Sequence, residues 1–599
     1  MPACLPPPIS RMPSWSSGSS HISLRKPTHI PRPPFTEVDV RLAARSVAPL
    51  VALAATVLFL WPALQPAVGQ THEDWSKNLG IYEVNTRQYT SAGTFNAFAE
   101  HLDRIEDLGV GIVWFMPIHP IGSTNRLGSL GSYYSVKDYL DVNPEFGSLD
   151  DFRALVADIH SRGMYVLIDW VANHTSWDNV LTTTHPEWYA KDGNGNFIPP
   201  PNTNWSDVIE LDYNQQGLRD YMIDAMKFWV EDVGVDGFRC DAVSFVPHEF
   251  WQEAIAALKT VKPDLLMLAE GDGVEWHTDG FDMTYGWGLY GFESGVLKRI
   301  ADRTATASNF SGYVATEKTQ HTGHYRMYFT SNHDENSWHG TTSELFGNAA
   351  DLFAVVTATF NGMPLVYGGQ EAGLNKRLAF FDKDLIPFGS DPASHPNTTL
   401  YKTLLDLKRV NKALWNGSSG GIPIRIVTTN NTDVFVVLRE ADGDRVMAAY
   451  NLSPVEQQVT LSGTAYVGAY NDVFSGDAVA FAADASLTLP PWGYAVYAND
   501  SLRTSVDAVD ARPRFVLHAP YPNPSAESVR LSFTLDGPSD IRLVVYDILG
   551  RERRVVVSGS KSAGVHTYEF DTSGLAAGTY FARLTADGAV DSVRFVVER

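Results

Sequence analysis

Gly237-Phe238-Arg239-Cys240-Asp241 is a short apolar run that ends in a carboxylate, and a helical pattern over residues 217–233 leads into it. The same arrangement recurs along the chain. Tyr165-Val166-Leu167-Ile168-Asp169 follows a helical stretch over 149–162, and Leu265-Leu266-Met267-Leu268-Ala269-Glu270 follows another helix. Upstream, Gly80-Ile81-Tyr82-Glu83-Val84 precedes a predicted helix over 95–108, and Ile112-Val113-Trp114-Phe115 reads as a second buried strand. Downstream, strands are predicted near 281–284, near 326–330 and at Pro364-Leu365-Val366-Tyr367. Repeated strand–helix units predict a parallel sheet, and eight of them close into a (β/α)8 TIM barrel. The expected fold is therefore α/β: a barrel with an insertion after its third strand, followed by two β-sandwich domains.

Asp169, Asp241 and Glu270 each end an apolar strand, and Asp334 lies just past the end of one. In such barrels the C-terminal strand ends and their loops carry the chemistry. A lone strand-ending carboxylate is usually a helix cap or a surface group. Four on separate strands at one face bring like charges together, which costs stability and points to a function. Residues 171–213 form a long insertion containing Trp177, Trp188 and Trp205. A loop of that length is uncommon unless functional, and it is expected to wall a cleft. Packing within the insertion is the expected role for most of its tryptophans, with stacking on sugar rings the other reading.

The 599 residues exceed one ordinary domain, and 44% hydrophobic with 19% charged residues fits a globular protein. A formal net charge of −23 argues against binding nucleic-acid phosphates and is compatible with a neutral substrate. Of the two cysteines, Cys4 lies in a segment expected to be lost. Neither an intramolecular disulfide nor a disulfide-linked partner is expected of the mature chain. Cys240, between Arg239 and Asp241, should point to the helical layer as a structural thiol. Residues 1–70 read as a leader. Arg41 and Arg45 precede an apolar run over 47–64, and Ala67-Val68-Gly69-Gln70 supplies small residues for cleavage. That is the pattern of a secretory signal peptide. Pro49 and Pro62 interrupt the run and weaken the alternative of a permanent anchor. The unusual forty residues in front suggest a true start near Val38 or Val40.

These residues resemble glycoside hydrolase family 13, the α-amylase family, over roughly 75–500. Asp169-Trp170-Val171-Ala172-Asn173-His174, Gly237-Phe238-Arg239-Cys240-Asp241-Ala242-Val243, Ala269-Glu270-Gly271 and Phe329-Thr330-Ser331-Asn332-His333-Asp334 look like its four signatures, in order. Gly131-Ser132-Tyr133-Tyr134-Ser135-Val136-Lys137-Asp138-Tyr139 matches the stretch whose tyrosine, here Tyr134, stacks on the sugar being cleaved. The resemblance implies Asp241 as nucleophile, Glu270 as general acid/base and Asp334 as transition-state stabiliser. It implies that Arg239, His174 and His333 hold the sugar and tune the carboxylates. The chemistry suits these types. Retaining cleavage needs one carboxylate to attack the anomeric carbon and one carboxylic acid to protonate the leaving oxygen, about 5–5.5 Å apart. Arg239, two residues before Asp241, projects from the same strand face and would keep Asp241 ionised, while burial would keep Glu270 protonated.

Ser244 and Phe245 stand where many relatives have a lysine and a histidine. That departure leaves endo-acting amylase and exo-acting α-glucosidase or transglycosylase both open. Asn173 fits the family's calcium asparagine and Glu210 falls where an aspartate ligand is usual, so bound Ca2+ is an expectation of the resemblance. A non-catalytic glycan-binding or scaffold protein is the reading from another class. Retention of Asp241, Glu270, Arg239 and Asp334 together argues against it.

The expected organisation is a leader over 1–70, a catalytic barrel over 71–412, a β-sandwich over 413–498, a linker over 499–514 and a last sandwich over 515–599. The last unit carries Tyr521-Pro522-Asn523-Pro524, Val544-Val545-Tyr546-Asp547-Ile548-Leu549-Gly550-Arg551 and Leu575-Ala576-Ala577-Gly578-Thr579-Tyr580. It resembles the C-terminal sorting domain of the Por (type IX) secretion system. That implies secretion machinery as a partner beside the α-glucan substrate, and an extracellular or outer-membrane-surface location.

Overall fold

The computed structural model describes residues 72–291, 295–499, 515–518, 520–535, 537–547, 551–586 and 589–599. The expected leader and signal peptide, and residues 500–514 of the expected linker, lie outside the described residues. The first ten strands are β1 (Ile81–Val84), β2 (Ile112–Phe115), β3 (Tyr165–Trp170), β4 (His174–Ser176), β5 (Val208–Glu210), β6 (Gly237–Cys240), β7 (Leu266–Ala269), β8 (Met283–Tyr285), β9 (Tyr325–Tyr328) and β10 (Met363–Tyr367). Eight of them close a barrel in the order β1-β10-β9-β8-β7-β6-β3-β2. Every pairing in it is parallel. Its strands are buried on both faces, by the packed barrel interior and the helical ring.

The barrel strands are short, three to six residues each, so the helices between them must begin and end sharply. The helix Leu149–Ser161 shows how: the Ser148 hydroxyl accepts from the Asp151 amide, and the Asp151 carboxylate accepts from the Ser148 amide. The helix expected over 95–108 is two helices, Phe95–Ala99 and Leu102–Asp107, parted at His101 with φ −103° and ψ 0°. The helix expected over 217–233 is α-helical from Gln216 to Phe228 and closes in a wider π turn, Trp229–Val233. Gly237 opens β6 because a Cβ there would sit 1.9 Å from the Leu266 carbonyl oxygen.

The insertion folds around the antiparallel ribbon β4–β5, with His174 opposite Glu210. Its tryptophans serve mostly to pack it. Trp188 is buried and stacks on His185, and the Trp177 indole N–H donates to the Ser206 carbonyl (3.0 Å).

Beyond the barrel, a six-stranded sheet and a two-stranded sheet span Ile424–Ile426 to Tyr494–Ala498. Alternation along Val434–Ala441 sends Phe435 and Val437 into the barrel's core and Val434, Val436 and Leu438 into a second core toward the two-stranded sheet. The large sheet is thus covered on both faces, one of them by the barrel. The C-terminal unit pairs a three-stranded with a four-stranded antiparallel sheet around its own core, including Phe533, Leu543, Phe570 and Phe595.

Candidate active site

The barrel's register assembles the site. Asp169 in β3 pairs with Arg239 in β6, and the ladder runs one residue past the strands. The Asp241 amide donates to the Trp170 carbonyl and the Glu270 amide to the Cys240 carbonyl, both at 3.0 Å. Side chains at these C-terminal strand ends converge on one guanidinium. Arg239 Nη1 donates to Asp169 Oδ1 (2.9 Å) and Asp241 Oδ1 (3.0 Å), Nη2 pairs with Glu270 Oε1 (2.9 Å), and Nε donates to the Tyr285 hydroxyl (3.1 Å). Side-chain exposure rises from 0% at Asp169 through 11% at Asp241 and 18% at Glu270 to 34% at Asp334. Asp169 is therefore the floor of the site, and the other three line its opening.

The chain turns sharply after Asp241. Ala242 adopts a left-handed conformation (φ 43°, ψ 45°), which is strained for a residue with a side chain. The turn aims its N–H at Glu270 Oε2 (2.7 Å). Glu270 is thus gripped on one oxygen by Arg239 and on the other by the backbone after Asp241. Cys240 points away, fully buried and free.

Burial raises Asp241 to about 7 against the pull of Arg239, with Asp169 and Asp334 adding to the rise. Burial also raises Glu270 to about 7, opposed by Arg239 and reinforced by Asp241 and Asp334. Burial takes Asp169 to about 6. Arg239 acts on Asp241 in the expected direction, toward the ionised form, but its one positive charge serves three carboxylates, so burial still leaves both Asp241 and Glu270 raised. Asp334 behaves oppositely. Burial alone would raise it, but the His333 charge and hydrogen bond, with Arg239 and the Trp338 indole, bring it to about 2.

The two histidines differ. His333 Nδ1 is bonded to Glu83 Oε1, and its Nε2 lies 2.8 Å from the Tyr134 hydroxyl and 3.2 Å from Asp334 Oδ2. His174 is also buried but has no carboxylate partner among the described residues. Burial lowers it to about 4, so it is a neutral ring at pH 7, tilted against Trp205 at 5.3 Å. Tyr134 donates to Asp169 Oδ2 (3.0 Å), and its ring lies nearly parallel to those of His333 and Phe380. Trp338, half exposed, continues this aromatic wall through Phe380. Phe245 and Trp205 pack together at 5.7 Å, and the Phe245 amide donates to the Ala242 carbonyl (3.0 Å).

The structure thus brings together Asp241, Glu270, Asp334, Tyr134, Arg239 and His333, and sets His174 beside them. It adds Glu83, Tyr285, Trp338 and Phe380, to which the sequence alone assigned no role. For Glu83 a signal existed, a carboxylate inside an otherwise apolar strand. For Tyr285, Trp338 and Phe380 none did.

The expected calcium residues are less complete. Asn173 Nδ2 lies 3.3 Å from His174 Nδ1, and Glu210, raised by burial and by Asp212, pairs with His174 across the ribbon. Asn173 and Glu210 offer side-chain oxygens toward the six to eight that calcium takes, the others being of the kind backbone carbonyls and water supply. Among the described residues no group of three or more His, Cys, Asp or Glu could hold a metal ion. Asn173 and Glu210 are the side chains that would hold calcium in this chain, beside the insertion's ribbon.

Residues 73–386 match the family described as alpha amylase, catalytic domain, which is more than half the chain. The chain belongs to the α-amylase family. It is accordingly a glycoside hydrolase. Residues 424–496 match the maltogenic amylase C-terminal domain, and residues 519–598 match the secretion system C-terminal sorting domain. Among solved structures, a maltogenic alpha-amylase, AmyB, from Thermotoga neapolitana superimposes with a TM-score of 0.64 at 29% identity, covering 71% of this chain and 99% of the other. An alpha-amylase from Lactobacillus plantarum gives 0.62 at 30%, again covering 71% and 99%. A curated relative, alpha-amylase 3 of Dictyoglomus thermophilum, is 25% identical over 453 residues, 64% of this chain and 87% of that protein.

Proposed function

We propose that this family member is a secreted, retaining α-glucan hydrolase that cleaves α-1,4-glucosidic bonds in starch-like polymers or maltodextrins. The observation that carries the reading is the sharing of Arg239 by Asp241 and Glu270, two carboxyl groups with room for one proton between them. Ionised Asp241 attacks the anomeric carbon while protonated Glu270 gives its proton to the departing glycosidic oxygen. A covalent glycosyl-enzyme forms on Asp241 and the shortened chain leaves. Glu270, now ionised, takes a proton from water, whose oxygen attacks the same carbon and frees Asp241 with net retention. Asp334, kept anionic beside His333, faces the positive charge that develops on the sugar. Tyr134 supports that sugar's face, and His174, a neutral ring, exchanges hydrogen bonds with its hydroxyls.

Endo action follows the amylase relatives. Exo action or transfer is the second reading: Ser244 and Phe245, where many relatives have a lysine and a histidine, leave both modes open, and the similar Thermotoga neapolitana enzyme is a maltogenic alpha-amylase. Export follows from the signal-peptide pattern and the sorting domain together, and ends at the cell surface or in the medium. A time course on amylose, maltotriose and pullulan tests the activity. Rapid loss of iodine colour with mixed oligosaccharides supports internal cleavage, and single small products from the first minutes support exo action. Hydrolysis that persists in Asp241→Asn refutes the nucleophile assignment.

A further inference from the structure

We infer that Glu83 is a positioning residue for this site: it keeps the His333 ring doubly protonated, so that His333 in turn holds Asp334 and Tyr134 in their working arrangement. Glu83 has no part in the bond-breaking steps, although it is a fully buried carboxylate near the C-terminal end of the first barrel strand.

The argument is one of donors and acceptors. His333 is 1% exposed, so its two ring nitrogens find partners only in the protein. On the Nδ1 side the partner is Glu83 Oε1, an acceptor. On the Nε2 side there are two neighbours, Asp334 Oδ2 at 3.2 Å and the Tyr134 hydroxyl at 2.8 Å. The Asp334 carboxylate accepts. The Tyr134 hydroxyl spends its single proton on Asp169 Oδ2 at 3.0 Å, so toward His333 it too accepts. A neutral imidazole has one N–H and would turn a bare lone pair toward acceptors on one side or the other. Only the imidazolium, with an N–H on each nitrogen, satisfies the arrangement. Burying that cation requires opposite charge, and two carboxylates flank it.

Glu83 is the part of this arrangement that substrate does not touch. Its second oxygen, Oε2, is buried with no hydrogen-bond partner among the described residues, and the hydrogen bond its carboxylate accepts is the one from His333. The titratable groups facing the pair are Asp334, Asp169 and Tyr134 on the His333 side and Tyr285 and Tyr367 near Glu83, with Arg239 beyond Asp169. Among these, His333 and Arg239 are the cations. Were His333 to lose its second proton, Asp334 would face a lone pair instead of a donor, and Tyr134 would have to choose between Asp169 and the ring.

Two measurements test this, and only the second depends on the hydrolase reading. In 15N-histidine-labelled wild-type enzyme, the His333 signal, assigned by its loss in His333→Gln, should show both ring nitrogens protonated from pH 6 to pH 9. In Glu83→Gln, whose amide oxygen can still accept from Nδ1–H, the ring should titrate within that range while circular dichroism stays unchanged. With amylose as substrate, Glu83→Gln should lose on the order of 10²-fold in kcat at pH 8, the scale seen when one charge-stabilising donor is removed. The loss should be smaller at pH 6, with KM changed far less than kcat. A neutral His333 in the wild-type enzyme at pH 7 overturns the inference whatever the activity. So does a Glu83→Gln profile that keeps its shape, which a merely structural role for Glu83 would give. Wild-type enzyme inactive on α-glucans with His333 still doubly protonated would instead overturn the proposed function and leave this assignment standing.

Discussion

Replacing Arg239 with leucine removes the one positive charge shared by Asp169, Asp241 and Glu270. Each carboxylate loses a hydrogen bond of 2.9–3.0 Å to a guanidinium that is 1% exposed. If each pKa rises by about one unit, linkage costs about 1.4 kcal/mol per group, or about 4 kcal/mol for three. That agrees with the ~3–5 kcal/mol typical of breaking a buried ion pair. The penalty must depend on pH. The three carboxyls titrate at about 6, 7 and 7 in the folded protein, above the ordinary values near 4 of the unfolded chain. Because these folded values are raised, the native state binds more protons than the unfolded one between about pH 4 and 7. Wild-type stability therefore falls as pH rises through that window and levels off above it. In Arg239→Leu the window extends upward, so the difference between the proteins is largest above pH 7. At pH 5 the carboxyls are mostly neutral in both proteins and the difference shrinks. With an unfolding entropy of about 2.1 cal/mol/K per residue over the barrel and its sheet, thermal unfolding followed by tryptophan fluorescence should show the variant melting roughly 4–5 °C lower at pH 8 and about 1–2 °C lower at pH 5. Equal drops at the two pH values would refute the shared-charge account.

Glu270→Gln should lose about 10³-fold or more on amylose but far less on α-maltosyl fluoride, whose leaving group needs no proton; equal losses on both would remove Glu270 from the acid role. Because Asp241 and Glu270 are both raised to about 7, they titrate as a pair, and kcat/KM should give a narrow bell centred near neutrality. A flat profile from pH 5 to 9 would contradict that. Deleting residues 500–599 should leave kcat on maltodextrins and the barrel's melting temperature unchanged, since the C-terminal unit has its own core. A large loss of either would show that the sorting domain supports the barrel.

The catalytic face was legible in the sequence for a local reason. A parallel strand buried on both faces reads as an apolar run, so Asp169, Asp241 and Glu270 stood out at the ends of such runs. The two-residue spacing of Arg239 and Asp241 fixed their common orientation through strand alternation alone. By the same token Cys240 could be placed on the other side. Chain order and periodicity also separated the barrel from the β-rich C-terminal third.

Charge states belong to the tertiary structure. The spacing shows that Arg239 adjoins Asp241, but only the β3–β6 register and the continuation into Glu270 make one guanidinium serve three carboxylates. That sharing leaves burial only partly offset at Asp241, whose proton affinity stays raised. His174 and His333 look equivalent as residue types in matched motifs, yet one is buried without a carboxylate and the other lies between two. Glu83 is 250 residues from His333 in the chain, a separation that no local pattern spans. Strand-scale hydrophobicity is written residue by residue, whereas a buried group's proton affinity is a sum over neighbours that only barrel closure assembles.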